Sequence, residues 1–290
     1  IVDLKLCNRT IYVHVQSHPK HIDPYDIFCA MLYVLKNGCT WRDLPADYPK
    51  WSTVYYYWMS WSKAPTPDKP ALLTQVLKKL SLITIKARAV SPNFVLILDA
   101  QSIKNTATAE NKGYDGGKKI SGIKRHLAVD INGFPQAIHI TRANIADRDG
   151  AIALVTLNLE QFKLVRTMMV DSGYTGQNFA NEISSLTSAK VIVVKRNELH
   201  QFSVIPQRWL IERSFSWLGN YHRLWRNCER KLNTSLMMVS LAFIGYFSKD
   251  TKQFLRFFDG IFRLGHEVRP NLLVLSLISL RLHGLFGLVI

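Results

Sequence analysis

Two short apolar runs, each closing on an aspartate, constrain this chain most: "NFVLIL" running to Asp99 and "LVRTMMV" running to Asp171. A brief, continuous aliphatic run without helical spacing reads as a buried strand. Such strands belong to α/β sheets, where ligand sites gather at the carboxyl ends of the strands. As parallel neighbours, the two strands would bring Asp99 and Asp171 out at one edge of one sheet. Taken singly, each aspartate is equally what a helix N-cap or a turn uses. The pair gains meaning from its surroundings.

Those surroundings continue the sheet. "HLAVDINGFPQAIHIT" reads as a hairpin, with Asn132-Gly133 supplying the positive φ angles of a tight turn. "DGAIALVTLNLEQF" and "GQNFANEISSL" read as helices, and "KVIVV" as a further strand. Next comes "IPQRWLIERSFSWLGNYHRLW", a helix with Pro206 near its first turn. On a helical wheel, Leu210, Trp217, Leu218, Tyr221, Leu224 and Trp225 fall opposite Glu212, while Arg208, Ser216, Gly219 and Arg223 share its side. A carboxylate so placed is either a solvated partner of Arg208 or Arg213, contributing little, or a third acid turned toward the two aspartates. Three crowded carboxylates repel one another unless a cation neutralises them. Hard oxygen ligands on an open edge suit Mg²⁺, with Mn²⁺ as a substitute. Two such ions can activate a hydroxyl and stabilise the leaving oxygen of a phosphodiester.

Charge points to the same partner. Lys+Arg number 37 against Asp+Glu 21, a formal net charge of +16, with no polylysine tail. A folded surface of that sign meets polyanions, nucleic acid ahead of an anionic membrane. The segment "GYDGGKKISGIKRH" gathers Lys118, Lys119, Lys124, Arg125 and His126 among glycines. Glycine lets a backbone approach a phosphate that basic side chains neutralise; a solvated loop is the plainer alternative. Cys7, Cys29, Cys39 and Cys228 have no zinc spacing and read as reduced thiols of a cytosolic protein. The opening "IVDLKLCNRT" reads as no signal peptide. The closing "NLLVLSLISLRLHGLFGLVI" is interrupted by Arg281 and His283, so a packing helix or a tail is expected rather than a membrane span.

Upstream of the first strand the pattern is helical. "YDIFCAMLYVLKNGC" is a helix ended by Gly38, "WRDLP" a turn, "STVYYYWMSW" a helix capped by Ser52 or Thr53, and "PDKPALLTQVLKKLSLITIKARA" a further helix. The expected organisation is a helical unit over residues 1–90, a catalytic α/β domain over 91–250 and an extension of unknown role over 251–290. A metal site acts on any phosphodiester, so the helical unit is the candidate for recognising DNA through base edges or shape; the plainer alternative is a bundle that buttresses the catalytic domain and helps dimerisation. Lys36, Arg42, Lys50 and Lys63 lie near its aromatic residues.

Across about residues 22–245 these motifs resemble the bacterial DDE-type insertion-sequence transposases, in the branch named for insertion sequence five. The resemblance is carried by "LYVLKNGCTWRDLPADYPKWSTVYYYW", "LDAQSIKNT", "GYDGGKKISGIKRHLAVDINGFP", "ANIADRDGA", "VDSGYTG" and "RWLIERSFSWLGNYHRL", in that order. It implies a ribonuclease-H-like mixed sheet with flanking helices, cutting and joining DNA with divalent metal. Asp99, Asp171 and Glu212 are then the metal-binding catalytic triad, and Arg208 falls on the arginine of the signature around the glutamate. Two other signature positions, a tyrosine and a lysine, hold Ile205 and Gly219 here, with Arg223 one turn on as the stand-in for the lysine. The implied partners are double-stranded DNA, as terminal inverted repeats and target, and further copies of the chain in a homodimer or larger assembly. The implied location is cytoplasmic and nucleoid-associated, without a membrane. Two readings stand beside this one: a decayed or domesticated DNA-binding copy, and a nuclease of the same fold that cuts without joining.

Overall fold

The computed structural model describes residues 22–66, 69–87, 94–194 and 208–247. Its spine is β1 (Phe94–Lys104). On one side β1 pairs antiparallel with β3 (Ile120–Val129). The short β2 (Gly113–Asp115) joins the first residues of β3, and β4 (Pro135–Arg142) pairs with the rest. On its other side β1 pairs in parallel with β5 (Val165–Asp171), which pairs in parallel with β6 (Lys190–Val194). Three antiparallel strands followed by two parallel crossover strands, with β1 in the middle, make the ribonuclease-H-like mixed sheet.

Local chemistry accounts for the places where the fold departs from the expected elements. β1 does not end at Asp99; Gln101 to Lys104 go on pairing with Arg125 to Gly122 of β3. In the β3–β4 turn only Gly133 has positive φ, at 80°. The Asp130 carboxylate accepts the N–H groups of Asn132 and Phe134, at 2.8 and 3.0 Å, so Asn132 need not adopt the left-handed conformation. The single helix expected after β4 is two, α4 (Asp147–Thr156) and α5 (Leu159–Phe162), parted where the Asn158 side-chain amide donates to the Leu154 carbonyl.

The N-terminal helices are α1 (Pro24–Asn37), α2 (Trp51–Ser62) and α3 (Leu72–Ala87). Asp23 caps α1 by accepting the Tyr25 N–H at 2.8 Å, and Gly38 ends it at φ 70°. Helix α2 begins at Trp51 behind Lys50, so neither Ser52 nor Thr53 is its cap.

Period-two alternation divides the sheet's apolar side chains between two layers. Leu96, Leu98, Met168 and Val170 face one side, against α4, α5 and α6 (Gln177–Thr187). Ile97, Met169, Ile123 and Leu127 face the other, against α7 (Arg208–Gly219) and α8 (Leu232–Phe247). Helix α8 is buried on nearly every side, including Met238, Leu241, Phe243 and Ile244. It joins α1 and α3 to this second layer, and Ile27, Met31, Leu35 and Trp58 belong to the same continuous core. The helical region expected to stand apart from the sheet therefore shares its core.

No described helix is long and apolar enough to cross a membrane. Among the described residues Cys29, Cys39 and Cys228 are not in disulfides. Cys7, Ile205, Pro206 and the segment 251–290 lie outside the described residues.

Candidate active site

Because β1 and β5 are parallel with Leu98 opposite Val170, Asp99 and Asp171 follow at the next level of the ladder. Alternation puts both on the face of Ile97 and Met169, the one that α7 covers. Asp99, Asp171, Val194 and Ile211 of α7 line one shallow cavity. Asp99 accepts the Ala100 N–H at 2.7 Å, and Asp171 accepts the Ser172 N–H at 2.6 Å. Burial pushes the Asp99 carboxyl up to about 6; the negative charges of Asp171 and Asp147 add to the rise, against the Ala100 N–H and Lys118.

Glu212 lies beside Ile211 on α7, on an exposed position of the helix. The helix is hooked to the β3–β4 turn. Arg213 donates to the Asn132 carbonyl and Ser214 to the Gly133 carbonyl, both at 2.6 Å. Gly219 looks onto open space. Among the described residues no three His, Cys, Asp or Glu side chains converge closely enough to form a metal cage by themselves. The fold thus brings Asp99 and Asp171 together and sets Glu212 on the covering helix, outside that pair. Mg²⁺ keeps several waters and is commonly held by one or two carboxylates. Two adjacent aspartates, one of them desolvated, fit that requirement.

Beside the pair lies a group of charges that the motifs contained but single-residue reading overlooked. Lys124 Nζ is 2.9 Å from Asp147 and 3.5 Å from Asp115, and donates to the Ile145 carbonyl at 2.7 Å. Ser102 donates to Asp115 at 2.6 Å. Lys118 Nζ donates to the Ala100 carbonyl at 3.3 Å and lies 3.7 Å from Asp147. Asp115 and Asp147 sit inside "GYDGG" and "ANIADRDGA", and their place in those motifs was the available signal.

The basic residues expected on DNA separate accordingly. Lys118 is partly exposed, and Lys119 is exposed at a turn with φ 53°. Lys124, Arg125 and His126 are 5%, 4% and 1% exposed, which corrects their assignment as DNA contacts. β3 is covered on both faces, and alternation sends the three side chains to opposite layers. Lys124 and His126 turn toward α4. The His126 Nε2 pairs with the Thr141 hydroxyl at 2.8 Å, and its ring fills the space that a Cβ on Gly150 would need. Burial first, then the neighbouring His139, pulls His126 down to about 4. Arg125 turns the other way and donates to the Leu224 carbonyl at 2.7 Å; burial pulls it down to about 10. Arg223 is no substitute for the signature lysine either. It donates to Glu229 at 2.9 Å and to the Cys39 carbonyl at 3.0 Å, and lies over Trp41, tying α7's far end to the N-terminal helices. Arg208 opens α7, and its side chain lies outside the described residues.

The sheet thus carries two strand-borne aspartates on the face covered by the helix that bears Glu212. The sequence profile of the Transposase DDE domain matches residues 92–247, and that of a transposase region of the IS4/5 family matches residues 9–69. The chain belongs to the DDE transposase family, whose members depend on divalent metal. Over 117 residues it is 28% identical to a Burkholderia cepacia protein described as a transposase for insertion sequence element IS402. That match takes in 38% of this chain and 55% of the relative, so the chain spans little more than half of that protein's length. Among solved structures, the Drosophila P element transposase strand transfer complex aligns at TM-score 0.34 and 10% identity, over 91% of this chain and 65% of that one. The Mos1 mariner paired end complex with Mn aligns at TM-score 0.26 and 12% identity, over 82% and 81%. Likenesses that weak add nothing to the fold, which rests on the strand order.

Proposed function

We propose that this protein is a DNA transposase that cuts and joins phosphodiester bonds at the ends of an insertion sequence, using Mg²⁺ with Mn²⁺ as a substitute. The observation that carries the reading is the pairing of Asp99 and Asp171 on neighbouring parallel strands, on the face that α7 covers. Asp99 and Asp171 would hold the metal, with Glu212 approaching from α7. When bound, divalent metal activates an attacking hydroxyl and stabilises the leaving oxygen. The chain's own groups prepare the place. Burial leaves Asp99 in need of a cation, the Ser172 N–H orients Asp171, and the hooks of Arg213 and Ser214 fix the helix that presents Glu212.

In this reading Lys118, Lys119 and Arg208 lie along the phosphates near the cut. The exposed side of α2, with Tyr55, Tyr56, Lys50 and Lys63, meets the terminal repeat. The working form is a homodimer or larger assembly on the DNA, close to the nucleoid.

The test is a cleavage and joining assay on the element's own ends in Mg²⁺ or Mn²⁺. Asp99→Asn, Asp171→Asn and Glu212→Gln are each expected to lower cleavage by roughly a hundredfold or more, with DNA binding largely kept. Normal cutting by Asp99→Asn would overturn the reading. Cutting without joining would make the protein a nuclease, and binding without cutting would make it a decayed copy.

A further inference from the structure

Two lysines serve the charge group beside the aspartate pair, and they are held very differently. Lys124 is buried and engages Asp115, Asp147 and the Ile145 carbonyl at once. The Lys118 side chain is 45% exposed and has two long contacts. One is the Ala100 carbonyl at 3.3 Å; the other is Asp147 at 3.7 Å, a carboxylate that Lys124 already holds at 2.9 Å. The backbone beneath Lys118 is fixed, because Asp115 accepts the N–H groups of Gly117 and Lys118, both at 3.1 Å. Only the side chain is left to move. Its resting place is close to the site. The β1–β5 ladder ends with Leu98 opposite Val170. Just past that level, the ammonium rests on the carbonyl of the residue that follows Asp99. Its charge is felt at Asp99, where it opposes the rise that burial causes.

We propose that Lys118 is an internal counter-cation of the Asp99 and Asp171 site, which a DNA phosphate draws away, so that divalent metal binds the DNA complex more tightly than the free protein. The proposal rests on the reading of that site as a metal-dependent DNA-cutting centre. A desolvated carboxylate needs a positive charge beside it. In the free protein the tethered ammonium supplies part of one, and it repels a second cation that approaches the same carboxylates. A phosphate arriving at the site competes for Lys118, whose other partners are long or shared, and adds negative charge of its own. The repulsion falls and metal enters. Linkage makes the effect reciprocal, so metal tightens DNA binding by the same factor. The order that follows is DNA first and metal second, which leaves the bare protein largely unloaded.

The experiment titrates the full chain with Mn²⁺ at one fixed salt concentration and reads the free ion by its electron paramagnetic resonance. Each protein is measured alone and with a saturating duplex that spans the element's own end, and the uptake of the duplex by itself is subtracted. Without DNA, Lys118→Met should bind Mn²⁺ about tenfold tighter than wild type. Lys119→Met makes the same charge change at the neighbouring exposed residue and should stay within about twofold. Lys118→Arg, which keeps the charge, should resemble wild type. The gain in Mn²⁺ affinity that DNA brings should be about tenfold smaller in Lys118→Met than in wild type. A Lys118→Met protein that binds Mn²⁺ no tighter than Lys119→Met would overturn the proposal. So would an equal gain from DNA in Lys118→Met and wild type, or a Lys118→Arg protein that behaves like Lys118→Met. Uptake of Mn²⁺ by the DNA complex that Asp99→Asn leaves unchanged would instead remove the metal-site reading itself, and the counter-cation with it.

Discussion

Asp99 is costly to the fold that holds it. Its carboxyl titrates near 6 in place of 3.8, so the native state favours the protonated form. The stability this contributes is complete below the unfolded value and is lost as pH rises through about 6. Asp99→Asn should therefore raise the metal-free stability of the protein at pH 7.5 by up to about 3 kcal/mol, and leave it unchanged near pH 4. Urea melts in EDTA at the two pH values check this, and equal gains at both would refute a buried charge as the cause. Lys124 presents the opposite case. Lys124→Met leaves Asp115 and Asp147 facing each other without their cation, at a cost on the order of 3 kcal/mol. The salt dependence of DNA binding should not move. Lys119→Glu should do the reverse: stability within about 0.5 kcal/mol of wild type, and a salt slope shallower by about one or two.

At the scale of elements, α8 decides what can be separated from what. The helix lies between α1, α3 and β4, and its apolar residues belong to the core that also holds Ile97 and Leu127 of the sheet. A fragment restricted to residues 92–247 would expose the faces of α8 that α1 and α3 cover. It should lose cooperative unfolding and bind a hydrophobic dye; a fragment that melts as sharply as the whole chain would show that the shared core is dispensable. Element identity was legible in the sequence because apolar periodicity is local. "LVRTMMV" read as a buried strand and "KVIVV" as a further strand, and Gly38 ended α1 as expected. The aspartate pair was legible for the same reason. The interior role of Lys124, Arg125 and His126 was not, because charged residues read as solvated until their partners are known. Those partners, Asp147, the Leu224 carbonyl and Thr141, come from other elements of the fold. The length of β1 was hidden in the same way, since the partner strand decides where pairing stops.

For the whole molecule, two buried groups oppose each other in acid. His126, held near 4 in place of 6.5, contributes stability that is present above its unfolded value and lost as pH falls through about 4. Asp99 changes in the opposite direction across much of the same range. His139, lowered by burial, acts in the same direction as His126, so wild-type stability should fall less steeply from about pH 6 to about 4.5 than that of Asp99→Asn, which lacks the opposing group. Thermal melts across that range would show it; parallel curves for the two proteins would mean that one of the groups does not titrate as described. The shared core also sets a timetable. About 160 residues separate the end of α3 from the end of α8, which a ribosome takes roughly 8 to 30 s to add. Until then the apolar faces of α1, α2 and α3 have no lid, and the newborn chain is a client for chaperones. A message broken before α8 would yield no smaller protein with half the function, only one that aggregates.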